Sequence, residues 1–205
     1  MIVIGITGSI GMGKTTASGI LRDLGVPVHD SDAEVHKLLG PNGRAVEEIA
    51  VMFPGTLRQD KEGRAYIDRQ ALGRIVFADA KKKKQLEDFL HPIVRRASDD
   101  FRSNMKDKGH KFAALDIPLL FETNGEGRVD ATLCLTAPPD VQRQRVLSRI
   151  GMTREKFERI LASQMPDAEK RERADFVIDT SRGLEDTKMQ LQDMLKKLEG
   201  KKKHA

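Results

Sequence analysis

Residues Gly8-Ser9-Ile10-Gly11-Met12-Gly13-Lys14-Thr15 place two glycines, a lysine and a hydroxyl in the spacing G-x-x-x-x-G-K-[ST]. The chemistry of that spacing is anion capture. Such a loop winds backbone N–H groups around a phosphate, and its glycines stand where a side chain would collide or φ is positive. The helix that opens beyond the loop adds its positive dipole end. Lys14 then reaches the β and γ phosphates, and the Thr15 hydroxyl can ligate Mg²⁺. At ordinary glycine usage a random chain of this length would match about one time in a hundred. The demand for a strand before and a helix after makes chance a poorer explanation still. A dinucleotide-binding turn read as G-x-G-x-x-G from Gly11 fails, because Thr16 stands where the third glycine belongs.

Phosphoryl transfer to a hydroxyl needs a carboxylate near the γ-phosphate to orient the alcohol and accept its proton. Asp32 is the candidate, just beyond the second apolar run, which is expected to neighbour the first. Spacing does not separate Asp30 from Asp32, and Asp32 could equally cap the following helix. Asp116, at the end of a third apolar run, is a candidate second oxygen donor for Mg²⁺ or a plain turn residue. Arg143, Arg145, Arg149, Arg154 and Arg159 crowd one segment. Guanidinium forks suit phosphate oxygens, so the cluster reads as an arginine-rich lid that closes over the transferring group. The alternative is a solvated charged face with i,i+4 pairs such as Glu155 with Arg159.

The elements that must position these residues follow from hydrophobic period. Ile2–Ile6 is a β-branched run that reads as a buried strand. Ala17, Ile20, Leu21 and Leu24 then share a helical face that Gly25 stops. Val26–Val28 is a second short strand, and Ser31 or Asp32 caps a helix running to about Leu39. Gly40-Pro41-Asn42-Gly43 breaks the chain. From there to about Gly109 the patterning is helical with almost no credible strand. Asp68 and Asp79 cap two helices, and His91-Pro92 opens a third. Strands resume at Phe112–Asp116, Ala131–Leu135 and Asp175–Asp179, with helices at about 139–150, 153–164 and 184–198. Alternating strands and helices imply an α/β fold with a parallel sheet covered on both faces. The expected organisation is one domain over residues 1–200, with a helical insertion at 40–110, a lid at 139–165 and a basic tail at 201–205.

Composition narrows the class. Of 205 residues, 39% are hydrophobic and 33% charged, which fits a globular chain. A net charge of +5 suits a polyanionic ligand, although much of it lies in Lys81–Lys84 and Lys201–Lys203, runs that are usually solvated. Aromatics are only 4%, so stacking platforms for nucleic acid are scarce and no nucleic-acid partner is expected. No apolar stretch approaches the roughly 20 residues of a membrane span. The single cysteine, Cys134, lies in an apolar run, which suits a buried thiol and a reducing, cytoplasmic setting. Oligomeric state is left open.

From about Ile2 to Leu195 the chain resembles the dephospho-CoA kinase family. The likeness rests on Thr7 to Lys14, Asp30-Ser31-Asp32, Leu90-His91-Pro92-Ile93 and Asp116-Ile117-Pro118-Leu119-Leu120-Phe121-Glu122. It continues through Gln142, Arg145, Arg149, Ser163-Gln164, Ala174-Asp175 and Val177-Ile178-Asp179. The resemblance implies a P-loop kinase with a five-stranded parallel sheet, a helical substrate insertion and a lid. It implies transfer of the γ-phosphoryl of ATP to the ribose 3′-hydroxyl of dephospho-CoA, with Mg²⁺. By it, Asp32, Lys14, Arg145 and Arg149 are catalytic, and Gly8, Gly11, Met12, Gly13, Lys14, Thr15 and Thr16 bind ATP. Asp32, His91, Pro118 and Leu119 bind the acceptor, while Thr15 and Asp116 face the metal. Ser9, Met12, Ser31, Ile150 and Thr180 depart from the family's usual residues. A nucleotide, shikimate or gluconate kinase is the rival within enzymes, and a nucleotide-dependent switch or nucleic-acid binder is the rival outside them.

Overall fold

A computed structural model describes residues 1–202, and side chains through Gly200. In chain order the elements are β1 (Ile2–Thr7), α1 (Lys14–Asp23), β2 (Val28–Asp30), α2 (Ser31–Leu39), α3 (Val46–Met52), β3 (Leu57–Gln59) and β4 (Ala65–Ile67). They continue with α4 (Arg69–Ala78), α5 (Ala80–Asp107), β5 (Phe112–Asp116), β6 (Ala131–Thr136), α6 (Pro139–Leu147), α7 (Arg154–Ala162), α8 (Asp167–Arg173), β7 (Phe176–Asp179) and α9 (Leu184–Lys202). The chain divides into two compact units, Asp30–Phe101 and the remainder.

The larger unit is built on a five-stranded parallel sheet in the order β2-β5-β1-β6-β7. β1 pairs with β5 from Ile2↔Phe112 to Ile6↔Asp116, and with β6 from Ile4↔Ala131 to Thr7↔Cys134. The second strand therefore does not neighbour the first, as β5 lies between them. Consecutive apolar residues in β1, β5 and β6 follow from burial on both faces. Ile4, Ile6, Leu133, Leu135 and Ile178 pack with Ala17 and Leu21 of α1 and Leu191 and Met194 of α9. Each such fully buried aliphatic side chain contributes about 2 kcal/mol of transfer free energy. Cys134 is fully buried in the same strand layer. Helix α9 carries on through Lys202, so the basic stretch begins as helix, and residues 203–205 lie outside the described residues.

The Asp30–Phe101 unit has its own core, in which Leu38, Leu39, Val46, Ile49, Phe53, Ile67, Leu72, Val76 and Leu90 are buried together. Asp68 caps α4 as expected, accepting from the N–H groups of Gln70 and Ala71. The cap of α2 falls instead on Asp30, whose carboxylate accepts from Ala33 N–H at 2.9 Å. Two further findings differ from the sequence reading. An antiparallel pair, β3–β4, interrupts the helical run, with Leu57 opposite Ile67. And no helix starts at His91-Pro92, because α5 runs unbroken through Pro92 for 28 residues. Proline inside a helix costs about 3 kcal/mol. Leu86, Phe89, Leu90, Ile93 and Val94 recur at i, i+3, i+4, i+7 and i+8 and pack on this core straight past the proline, which offsets that cost.

Candidate active site

The phosphate loop joins β1 to α1, and its backbone explains its glycines. Gly8 has φ +148°, and a Cβ there would lie 2.6 Å from the carbonyl oxygen of Leu135. Gly13, the residue before α1, has φ +83°, with a Cβ position 3.1 Å from Thr180 Oγ1. Positive φ strains an L side chain at both positions, and at Gly8 a clash with backbone adds to it. The Lys14 ammonium folds back to donate to Gly8 O at 2.7 Å. Thr15 and Thr16 are exposed on the first turn of α1, whereas Met12 is buried. The Ile10 peptide is held on two sides. Its N–H donates to Gln164 Oε1 at 3.0 Å, and its carbonyl accepts from Gln142 Nε2 at 2.7 Å.

Beside the loop, Asp116 ends β5 as a buried carboxylate that accepts from Ser18 Oγ at 3.1 Å, one turn of α1 beyond Thr15. The segment that follows is tied down by its backbone. The Pro118 carbonyl accepts from Thr7 Oγ1 at 3.0 Å and from Lys170 Nζ at 3.2 Å. Leu119 is partly exposed. Lys170 is fully buried, and its ammonium lies 2.8 Å from Glu122 Oε1, which also accepts from Met165 N–H at 2.8 Å. Burial pushes the Glu122 carboxyl up, but the hydrogen bonds from Lys170 and Met165 outweigh it and hold the group below the ordinary glutamate value.

The arginines of 139–165 divide. Arg145 donates to Thr180 Oγ1 at 2.8 Å and to Thr180 O at 2.7 Å, and the Thr180 hydroxyl lies 3.3 Å from each of two carbonyl acceptors, Met12 O and Thr136 O. Arg145 is thereby linked to the phosphate loop through Thr180. Arg154 forms an i,i+4 pair with Glu158 at 2.9 Å, the plain surface role for one member of the cluster. Arg143, Arg149 and Arg159 are exposed. Helix α6 ends at Leu147, before Arg149.

Within the Asp30–Phe101 unit, Asp32 is exposed in the first turn of α2 and does not provide its N-cap. It lines a cavity of about 240 Å³ together with His36, Arg69 and the apolar side chains of Leu72 and Leu86. His91 is exposed on α5 and is not among the residues lining that cavity. Asp32 and His91 thus belong to one unit, and the phosphate loop, Asp116, Pro118, Leu119, Arg145 and Arg149 to the other. Sequence reasoning missed Ser18, Lys170, His36 and Arg69. A serine one turn past Thr15 was a readable signal for Ser18, while a lone lysine in a charged stretch gave none for Lys170.

The family model described as dephospho-CoA kinase (CoaE) matches residues 2–186. A dephospho-CoA kinase from Agrobacterium fabrum is 50% identical over 97% of this chain and 98% of its own length. A crystal structure from Thermus thermophilus is 38% identical, covers 96% of this chain and 97% of that one, and superposes with a TM-score of 0.81. The dephospho-CoA kinase from Campylobacter jejuni is 28% identical over 96% of both chains, with a TM-score of 0.68. With phosphate loop, sheet order and full-length similarity in agreement, this chain belongs to the dephospho-CoA kinase family.

Proposed function

We propose that this chain transfers the γ-phosphoryl group of ATP to the ribose 3′-hydroxyl of dephospho-CoA, giving CoA and ADP, the last step of coenzyme A biosynthesis. The observation that carries the reading is the phosphate loop itself, with its left-handed glycines, its Lys14 and its Ile10 peptide held by two glutamine side chains. Full-length similarity to dephospho-CoA kinases supports the choice of acceptor.

In this reading the loop amides and Lys14 hold the β and γ phosphates and spread their charge as the bridge bond weakens. A new bond forms between the acceptor 3′-oxygen and the γ-phosphorus, the bond from that phosphorus to the β–γ bridging oxygen breaks, and ADP leaves. Asp32 accepts the hydroxyl proton, the role left to it because Asp30 is engaged as the helix cap. Arg145 and Arg149 serve the transferring phosphate from the lid. The Thr15 hydroxyl and the Asp116 carboxylate are the hard oxygen donors that suit Mg²⁺, an ion that takes one or two protein ligands and completes its shell with phosphates and water. When bound, that ion neutralises phosphate charge. The buried thiol of Cys134 suits a reducing cytoplasm.

The test is an ATP-consumption assay against dephospho-CoA, AMP, adenosine, shikimate and gluconate. Turnover is expected with dephospho-CoA alone. Comparable turnover of AMP or shikimate overturns the assignment.

A further inference from the structure

We propose that Arg69, oriented by His36, is the specificity-determining residue for the acceptor, binding the diphosphate on the 5′ side of the ribose. The inference rests on the reading of Asp32 as the residue that meets the 3′-hydroxyl. It concerns the Asp30–Phe101 unit alone.

Three observations carry it. Asp32, His36 and Arg69 line one cavity, so a group that places its hydroxyl at Asp32 brings its neighbouring atoms to a guanidinium and an imidazole. An Arg69 Nη hydrogen-bonds His36 Nε2, which holds the planar fork in a set direction while its other N–H groups stay available for an anion. At about 240 Å³ the cavity is smaller than the roughly 300–1,000 Å³ that encloses a whole drug-sized ligand, so it accepts one part of the acceptor only. Of the parts of dephospho-CoA, the diphosphate is the one whose oxygens fit a cationic fork, and it lies one sugar ring from the 3′-hydroxyl.

The remainder of the molecule has a place to go. Leu72, Val76 and Leu86 give the cavity an apolar side. Phe77 is 83% exposed, and the Cβ position of cavity-lining Gly73 lies 3.7 Å from its ring. A phenylalanine so exposed on the rim of a charged cavity is suited to cover the uncharged pantetheine arm. Neither the helical period nor the family motif pointed to Arg69, and His91 is absent from the lining.

The test uses the full chain with ATP, Mg²⁺ and dephospho-CoA. Arg69→Ala is expected to raise KM for dephospho-CoA about 10- to 100-fold, the effect of losing a charge-assisted hydrogen bond. KM for ATP and kcat should stay within about two-fold, since the remote contact is shared by ground and transition states. Arg69→Lys should recover part of the affinity, and His36→Ala should give a smaller rise of the same kind. As competitive inhibitors against dephospho-CoA at saturating ATP, AMP should outperform adenosine in the wild type, and Arg69→Ala should erase that preference. An unchanged KM for dephospho-CoA, an equal rise in KM for ATP, or equal inhibition of the wild type by AMP and adenosine overturns the proposal. A wild-type enzyme that leaves dephospho-CoA untouched overturns instead the functional reading beneath it.

Discussion

Gln142 in α6 and Gln164 just beyond α7 bond the two polar groups of a single residue of the phosphate loop, Ile10. One side chain donates to its carbonyl and the other accepts from its N–H. The loop conformation therefore depends on the two glutamines from the α6–α7 region as well as on its own glycines. Gln142→Ala leaves a carbonyl without that donor, a loss of about 1 kcal/mol. KM for ATP should rise about five-fold with little change in KM for dephospho-CoA, as steady-state kinetics with each substrate varied will show.

Gly8 tolerates no side chain. With φ at +148° and Leu135 O only 2.6 Å from the Cβ position, alanine must displace backbone rather than a flexible side chain. Gly8→Ala should weaken ATP binding by about 100-fold, the order expected of a strained backbone residue. Isothermal titration with a non-hydrolysable ATP analogue measures it.

Asp32 and Lys14 should part in their effects. Asp32→Asn keeps the volume and removes the proposed base, so kcat should fall about 10²- to 10⁴-fold while ATP binds as before. Lys14→Ala removes the proposed contact to the phosphates themselves and should depress both. An Asp32→Asn enzyme with near-normal kcat removes Asp32 from its role.

Lys170 and Glu122 form a pair whose cation is entirely buried. Lys170→Met strands the Glu122 carboxylate, a loss of about 3 to 5 kcal/mol for a broken buried pair. At this chain length that is a fall in Tm on the order of 10 °C. The double variant Lys170→Met with Glu122→Gln should recover part of it, because no charge is then left behind. The pair also predicts acid sensitivity. Glu122 is depressed from its ordinary 4.5 in the folded state. Its stabilisation is complete above that unfolded value and is lost as pH falls through the folded one. Glu122→Gln should flatten the dependence of Tm on pH in that acid range, read by calorimetry.

Much of this was legible in the chain. The phosphate loop was readable because its chemistry needs fixed residue types at fixed spacing. Strands buried on both faces show as apolar runs, as in residues 112–115 of β5. The misses have physical causes. β3 and β4 are three residues each, and β3 is exposed throughout, so neither has a period to read. Pro92 signalled a helix start, yet the apolar stripe from Leu86 to Val94 shares one core and carries the helix through. Asp30, Ser31 and Asp32 are all good caps, and only the fold decides among them. Strand order was not legible, since β5 enters between β1 and β2 from some eighty residues downstream. Gln142 and Gln164 drew notice only through family resemblance, because a glutamine on a helix announces nothing about its partner.

The lone thiol has a meaning peculiar to this reaction. Dephospho-CoA and CoA both end in a sulfhydryl, which on oxidation gives mixed and symmetric disulfides. Exchange with such species requires a thiolate within reach. Cys134 lies in the interior of β6, where burial first, and then the nearby charge of Asp167, pushes its pKa up to about 12. On the proposed reading, the one cysteine of the chain is thus placed out of reach of the sulfur of either substrate or product.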